Sequence, residues 1–456
     1  MTPLWTSDEI AAATGGVASV PFAVTGVTFD SREVSAGDLF VALTGEATDG
    51  HRFAAQAYVN GAAGALVAEP VEGAHVLVPD TFAALQALAR AARARSGATV
   101  IGVTGSVGKT GTKEALWAAL DRSAPGKVHR SVKSYNNHTG VPLSLARMPA
   151  DADYAVLEMG MNHAGELAAL TRLVRPHLAI VTAIAPSHIE FFANEEAIAD
   201  AKAEIFEGLE ADGIAIVPAD SPHRARLTFA ARARATRVVA FGAAEDADVR
   251  LIEAMRVDTG TFVMARLGER ELSFTVAQAG AHQVSNALAV LAAVEAAGGD
   301  LALAGLALGE MAGLAGRGAR VRVEVPGGEA LVIDEAYNAN PASMRAALAV
   351  LGEEPGRRVA VLGAMYELGE RSPAYHAELA GPITDTRVDR AVLVGEEMRP
   401  LAAALAGHVE YVQVADAAAA LVALRGTIAP GDAVLVKASN GVGLARVVAA
   451  LAEGAR

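Results

Sequence analysis

The chain has 456 residues, 52% of them hydrophobic and 20% charged. That is enough for roughly two to four domains with buried cores, and too apolar for a disordered chain. The net charge of −14 excludes a global basic surface for a nucleic-acid backbone, and the absence of cysteine excludes disulfide frameworks, thiolate zinc sites and thiol nucleophiles.

Residues 1–13 carry Asp8 and Glu9, with no basic stretch leading into an apolar one, so no secretory leader is expected. Apolar runs at 62–68 and 74–78, with a helical stretch at 82–95, read as α/β units. Arg93 to Gly97 reads as a linker and precedes a β-like run at 99–103, so a first domain is expected over 1–95. Beyond it, 154–157, 178–182, 213–217 and 238–241 read as strands. Residues 109–120, 195–209 and 284–297 read as helices, and 249–276 alternates like antiparallel hairpins. A glycine-rich break at 312–318 ends this second domain, expected over 96–312. Short apolar runs at 330–333, 358–362, 391–394 and 433–436 then give a second doubly wound pattern over 313–456. The expected class is therefore α/β in three domains. The central one is a P-loop-type, mostly parallel sheet with added hairpins, and the last is Rossmann-like. The most apolar stretch, 287–304, is broken by Glu295, Gly298, Gly299 and Asp300, so no membrane span is expected.

The strongest local motif is Thr104-Gly105-Ser106-Val107-Gly108-Lys109-Thr110, placed between a strand and a helix. Glycines let backbone N–H groups converge on phosphate oxygens, and the helix N-terminus adds positive potential. Lys109 can reach the β- and γ-phosphates, and the Thr110 hydroxyl can bind Mg²⁺. The full P-loop pattern asks for glycine where Val103 stands, so the motif is the shorter G-x-x-G-K-T. Glu158 ends the 154–157 strand, where a magnesium ligand beside a P-loop would sit. His188 follows the 178–182 strand. A lone histidine there is usually a loop or core residue, but a strand's carboxyl end makes it a candidate ligand or substrate contact. Lys202, on a helix, reads by itself as a solvated lysine.

Further strings follow in order: Asp30-Ser31-Arg32, Asn136-Asn137, Gly280-Ala281-His282 with Asn286, and Gly316-Arg317-Gly318. Asp334-Glu335-Ala336-Tyr337-Asn338-Ala339-Asn340-Pro341-Ala342-Ser343-Met344, Met365-Tyr366-Glu367-Leu368-Gly369 and Lys437-Ala438-Ser439-Asn440 complete the series. Across all three domains the chain resembles the Mur ligases of peptidoglycan synthesis. The resemblance implies a UDP-binding first domain, a central ATPase domain and a C-terminal domain that closes on the site. In the member it resembles, ATP and Mg²⁺ drive the joining of UDP-MurNAc-tripeptide to D-alanyl-D-alanine through an acyl phosphate, in the cytoplasm. It implies that Lys202 is carbamylated and, with His188, holds a second Mg²⁺ beside the one at Thr110 and Glu158. It also implies catalytic roles for Lys109, Glu158, His188, Lys202 and Arg317. Gly105, Ser106, Gly108, Lys109, Thr110, His282, Asn286, Arg317 and Asp334 become nucleotide contacts. Ser31, Arg32, Asn136, Asn137, Tyr337, Asn338 and Asn340 become substrate contacts. A monomer is expected.

Gly111, His138, Ala364 and Ala438 depart from the family's usual residues. The competing readings are another ligase of the superfamily, such as a folylpolyglutamate synthetase, and a nucleotide-binding regulator without turnover. A dinucleotide dehydrogenase is weaker, because the G-x-G-x-x-G spacing is missing.

Overall fold

The computed structural model describes residues 3–45 and 48–453. Three principal sheets organise them. In the first, Gly26–Thr28, Asp38–Val41, Gly64–Val67 and His75–Leu77 run parallel, and the short Val17–Ala18 adds an antiparallel edge. Every residue of Asp38–Val41 is buried, as a strand covered on both faces requires. The helix Thr81–Arg95 leads out of this unit, its first amides capped by the Asp80 carboxylate.

The central sheet has nine strands. From one edge these are Val128–Arg130, Tyr154–Glu158, Thr99–Thr104, Leu178–Val181, Ile214–Pro218 and Arg237–Gly242, all parallel. Val249–Val257, Gly260–Leu267 and Arg270–Val276 extend the other edge, joined to one another by antiparallel pairing. Alternate side chains of Thr99–Thr104 enter opposite cores: Ile101 and Val103 on one face, Val100 on the other. The first core is closed by the helices Lys109–Asp121 and Ala281–Ala296. Register decides where chemistry can gather. Glu158 pairs with Val103, and Val181 with Thr104, so the carboxyl ends of three neighbouring strands meet at one edge.

In the third sheet, Gly328–Glu335, Ala433–Lys437, Arg358–Gly363, Arg390–Val394 and Glu410–Val414 run parallel, with Ala319–Val325 antiparallel at one edge. The strands Ala319–Val325 and Glu410–Val414 are absent from the sequence reading. Both are edge strands, largely unburied, and give no apolar run. The helix expected over 195–209 ends at Ala203 and tightens into a 3₁₀ turn, Glu204–Gly208. Tertiary contacts stop it. The Glu204 carboxylate accepts the Gly165 and Ala168 amides of another helix end, and a Cβ on Gly208 would lie 2.2 Å from the Thr171 carbonyl oxygen. No helix among the described residues is long and apolar enough to cross a membrane.

Ala438 packs within the third domain's core, and a Cβ on Gly363 would come 2.8 Å from its methyl, so the facing glycine accommodates this departure.

His129 sits in the edge strand with Nε2 2.7 Å from the Ser144 carbonyl oxygen. Burial pushes its pKa down from 6.5 to about 4. The unfolded chain then binds the extra proton first. Stability is complete above pH 6.5 and declines as pH falls from there to about 4. The ring is partly open to solvent, so we expect a loss of about 2 kcal/mol rather than the full shift. Denaturant melts at pH 7.5 and 4.5 measure it, and His129→Gln should flatten the difference. An unchanged pH difference in that variant would refute the assignment.

Candidate active site

The loop between Thr99–Thr104 and Lys109–Asp121 takes its shape from two glycines whose backbone angles would strain any other residue. Gly105 has φ of 152° and Gly108 has φ of 88°. A Cβ on Gly105 would stand 1.9 Å from the Thr182 Oγ1, and one on Gly108 2.6 Å from the Asn286 Oδ1. Ser106 is held from the side: its Oγ donates to the Ala185 carbonyl at 2.9 Å and accepts the Ala185 amide at 3.0 Å. Lys109 Nζ folds back over the loop and donates to the Gly105 carbonyl at 2.7 Å. Burial pulls the Lys109 pKa down. The Glu158 carboxylate opposes that shift and Arg317 adds to it.

Glu158 is 1% exposed, and its carboxylate is gripped on both oxygens. Thr110 Oγ1 donates to Oε2 at 2.9 Å and Asn136 Nδ2 to Oε1 at 2.7 Å. A hydroxyl and a buried carboxylate offer two hard oxygens beside a phosphate loop. That fits Mg²⁺, which takes one or two protein ligands and completes its shell with phosphate and water. Among the described residues there is no cluster of three or more His, Asp or Glu side chains that could hold a metal unaided.

A second group lies beyond the next strand. Lys202 is 1% exposed on the helix Glu195–Ala203, and burial, then the charge of Lys109, holds its pKa well below the ordinary lysine value against Glu204. His188 has a left-handed backbone, φ 56°, and its Nδ1 lies against the Glu367 carboxylate of the C-terminal domain. Burial lowers the His188 pKa. Glu367 works against that, and Lys109 and Lys202 add to it. An ammonium cannot ligate a cation, so His188 and Lys202 suit a metal only if Lys202 gains an acidic oxygen.

The third wall comes from across the domain junction. Arg317 stacks on the Tyr337 ring with its guanidinium carbon 4.1 Å from the centroid, and Nη2 donates to Ser134 Oγ at 3.3 Å. The Asp334 carboxylate accepts the Gly316 amide at 2.7 Å and the Ala336 amide at 3.1 Å. It therefore shapes the turn carrying Arg317, and it does not line the cavity. Asn340 lines the cavity, but its side chain also caps the helix Pro341–Gly352 in a reciprocal box with Ser343.

Together these groups enclose a cavity of about 440 Å³. Ser106, Gly108, Lys109, Asn136, Glu158, His188, His282, Asn286, Arg317, Tyr337, Asn338 and Asn340 all line it. Gly105, Thr110, Lys202 and Asp334 are not among the lining residues. Burial lowers the pKa of His282, offset in part by Glu335. Three expected contacts lie elsewhere. Arg32 is exposed and paired with Asp30 in the first domain, and Ser31 neighbours it in the same 3₁₀ turn. The Asn137 side chain accepts the Thr139 and Gly140 amides at a helix start. A cleft of about 610 Å³ lined by Thr99, Asp151 and Asp300 sits at the amino ends of the strands, the wrong end of such a sheet for a ligand.

Sequence reasoning passed over Lys113 and Ser134, and it quoted Glu335, Glu367 and Lys437 within longer strings without giving them a role. Lys437 Nζ is buried and donates to Glu335 Oε2 at 3.2 Å and to the Asn338 carbonyl at 2.8 Å, bracing the loop that carries Tyr337. A lysine ending an apolar strand run is the signal that could have given it a role.

Residues 23–96 match the model of the Mur ligase family catalytic domain, 103–294 that of the Mur ligase middle domain, and 316–440 that of the Mur ligase glutamate ligase domain. The chain is 35% identical to the UDP-N-acetylmuramoyl-tripeptide–D-alanyl-D-alanine ligase of Bacillus subtilis, over 94% of this chain and 93% of that one. A crystal structure of MurF from Acinetobacter baumannii superposes with a TM-score of 0.85 at 31% identity, covering 99% of both chains. A MurF ligase from Thermotoga maritima in complex with ADP has a TM-score of 0.79 at 27% identity, covering 94% of this chain and 98% of that one.

Proposed function

The chain belongs to the Mur ligase family, and we propose that it joins D-alanyl-D-alanine to UDP-N-acetylmuramoyl-tripeptide at the expense of ATP. The observation that carries this reading is the single cavity in which Lys109, Glu158, His188 and Arg317 converge, in a chain similar end to end to ligases of that name. The ADP complex of the Thermotoga maritima structure supports a nucleotide at the P-loop. Its phosphates would lie on the loop amides, with Lys109 at the γ-phosphate and His282 and Asn286 towards the base. Magnesium held by Thr110 and Glu158 would neutralise phosphate charge there.

The terminal carboxylate of the tripeptide attacks the γ-phosphorus, and ADP leaves. Anionic groups crowd together in that step, and Lys109 and Arg317 offset their repulsion. The free amine of the dipeptide then attacks the acyl phosphate. The amide forms as phosphate and a proton depart. Tyr337, Asn338 and Asn340 face the side from which the amine would enter, and Asn136 orients Glu158. Ser31 and Arg32 belong to a separate substrate region for the UDP end. A working monomer and a cytoplasmic reaction are part of this reading. We divide the chain functionally at 1–95, 96–312 and 313–456.

Phosphate release from ATP and Mg²⁺ tests the reading. We expect turnover that requires both UDP-MurNAc-tripeptide and D-alanyl-D-alanine, with a product heavier by the dipeptide less water. ATP turnover satisfied by a different amine would point instead to another ligase of the superfamily. ATP binding without turnover under any substrate pair would favour a regulator.

A further inference from the structure

Lys113 is a fully buried lysine that the mechanism above does not use. It lies one turn beyond Lys109 on the same helix. Its Nζ donates to two main-chain carbonyls, Ser131 at 3.1 Å and Lys133 at 2.6 Å, and pairs with Glu114 at 3.0 Å. The Glu158 carboxylate stands 4.0 Å away. A core helix gains nothing in packing from an amine that must be desolvated, so its partners explain its presence.

Those partners form a strap, residues 131–136, that follows the edge strand Val128–Arg130. At its start Ser131 Oγ accepts the Glu158 amide at 2.9 Å, and at its end Asn136 holds Glu158 Oε1. Between them Ser134 accepts from Arg317 of the C-terminal side, and Lys133 and Tyr135 reach Glu33 of the first domain. Lys133 has a left-handed backbone, φ 51°, which turns its carbonyl towards Lys113 and its side chain outward to Glu33. Glu158, the Arg317 turn and the first domain all converge on this strap.

We propose that Lys113 is a positioning residue: by clamping the strap it fixes Glu158 as a metal ligand and sets the strap's contacts to both flanking domains. This rests on the ligase reading only for the identity of the metal and nucleotide. Outer-sphere groups that orient a ligand typically change metal affinity about 10- to 100-fold when removed. Lys113→Met should therefore lower the Mg²⁺-dependent gain in ADP affinity by about tenfold or more. ADP affinity in EDTA, which reads the loop and base contacts alone, should not change. Lys113→Gln keeps a donor for the two carbonyls and should recover part of the loss.

Calorimetric titration of the full chain with ADP, with and without Mg²⁺, makes the measurement. A gain equal to wild type in Lys113→Met overturns the proposal. So does an equal loss with and without Mg²⁺, which marks general damage to the loop. Should Lys113→Met not fold, Ser131→Ala loosens the same strap by one hydrogen bond and should lower the gain several-fold, and no change there overturns the proposal as well. A wild-type protein with no Mg²⁺-dependent gain overturns it and the metal role of Thr110 and Glu158 together. The titration needs no amine substrate, so a failed dipeptide assay with a Lys113-dependent gain would reject the substrate assignment and leave the strap standing.

Discussion

Lys109→Met is expected to lower turnover by about 10³-fold, or about 4 kcal/mol, with little change in melting temperature. The reasoning begins with what Lys109 does in the fold, which is little. Its amine makes one hydrogen bond, to the Gly105 carbonyl at the foot of its own helix. The loop owes its form to Gly105 and Gly108 and to the Ser106–Ala185 bridge, none of which the substitution touches. In the reaction the demands are different. Charge shifts from the γ-phosphoryl oxygens towards the leaving ADP while an anionic carboxylate approaches, and a cation already in place costs no reorganisation. The lysine is partly desolvated and Arg317 pushes its charge in the same unfavourable direction, so phosphate binding relieves a strained cation. Methionine keeps the stem and removes the charge. The check is kcat and KM for ATP beside a thermal melt. A fall in kcat under tenfold in a folded variant would remove Lys109 from the phosphoryl step.

What could be read in advance followed the strength of local signals. The phosphate loop was legible because glycine spacing, the preceding β-run and the following helix all agree at one place, and the structure adds only why Gly105 and Gly108 cannot carry a side chain. Glu158 was legible because an apolar run ends in a carboxylate, and strand register then carries it beside the loop. Lys113 was not. Its helix position gives no warning, since the carbonyls that accept from it belong to an irregular strap whose course is set by tertiary packing. Asp334 and Asn340 show a different limit. Family strings mark both, yet the Asp334 carboxylate is occupied by the Gly316 and Ala336 amides, and the Asn340 side chain by the amide of Ser343. An Asn three residues before Ser at the start of an apolar helix is itself a capping pattern, and could have been read as one. The helix expected through 209 failed for a tertiary reason as well, because Glu204 caps a neighbouring helix.

Lys202 carries the second large expectation, and it depends on chemistry that a bare lysine cannot perform. The amine is buried, and its strongest charged neighbour is another lysine, so its pKa lies well below that of a free side chain. The consequence has a definite sign. At neutral pH much more of the group is uncharged amine than on a surface, and only the uncharged form adds to CO₂. Addition forms an N–C bond, releases a proton and turns a cationic site into a carboxylate-like one. The positive neighbour that disfavours the ammonium, Lys109, then favours the carbamate. We expect Lys202→Ala to lower turnover by at least about 10²-fold, since the anionic oxygen that would hold a cation together with His188 is lost. Lys202→Glu, which supplies a permanent carboxylate, should recover part of that. In wild type, activity should fall on the acid side as protonation of the amine displaces CO₂, and added bicarbonate should move that limb to lower pH. Carbon-13 bicarbonate gives a readout independent of turnover: a protein-bound carbamate resonance in wild type that is absent in Lys202→Ala. Full activity in Lys202→Ala, or no such resonance in an active wild-type sample, would leave Lys202 as a buried lysine whose charge neighbours need another explanation.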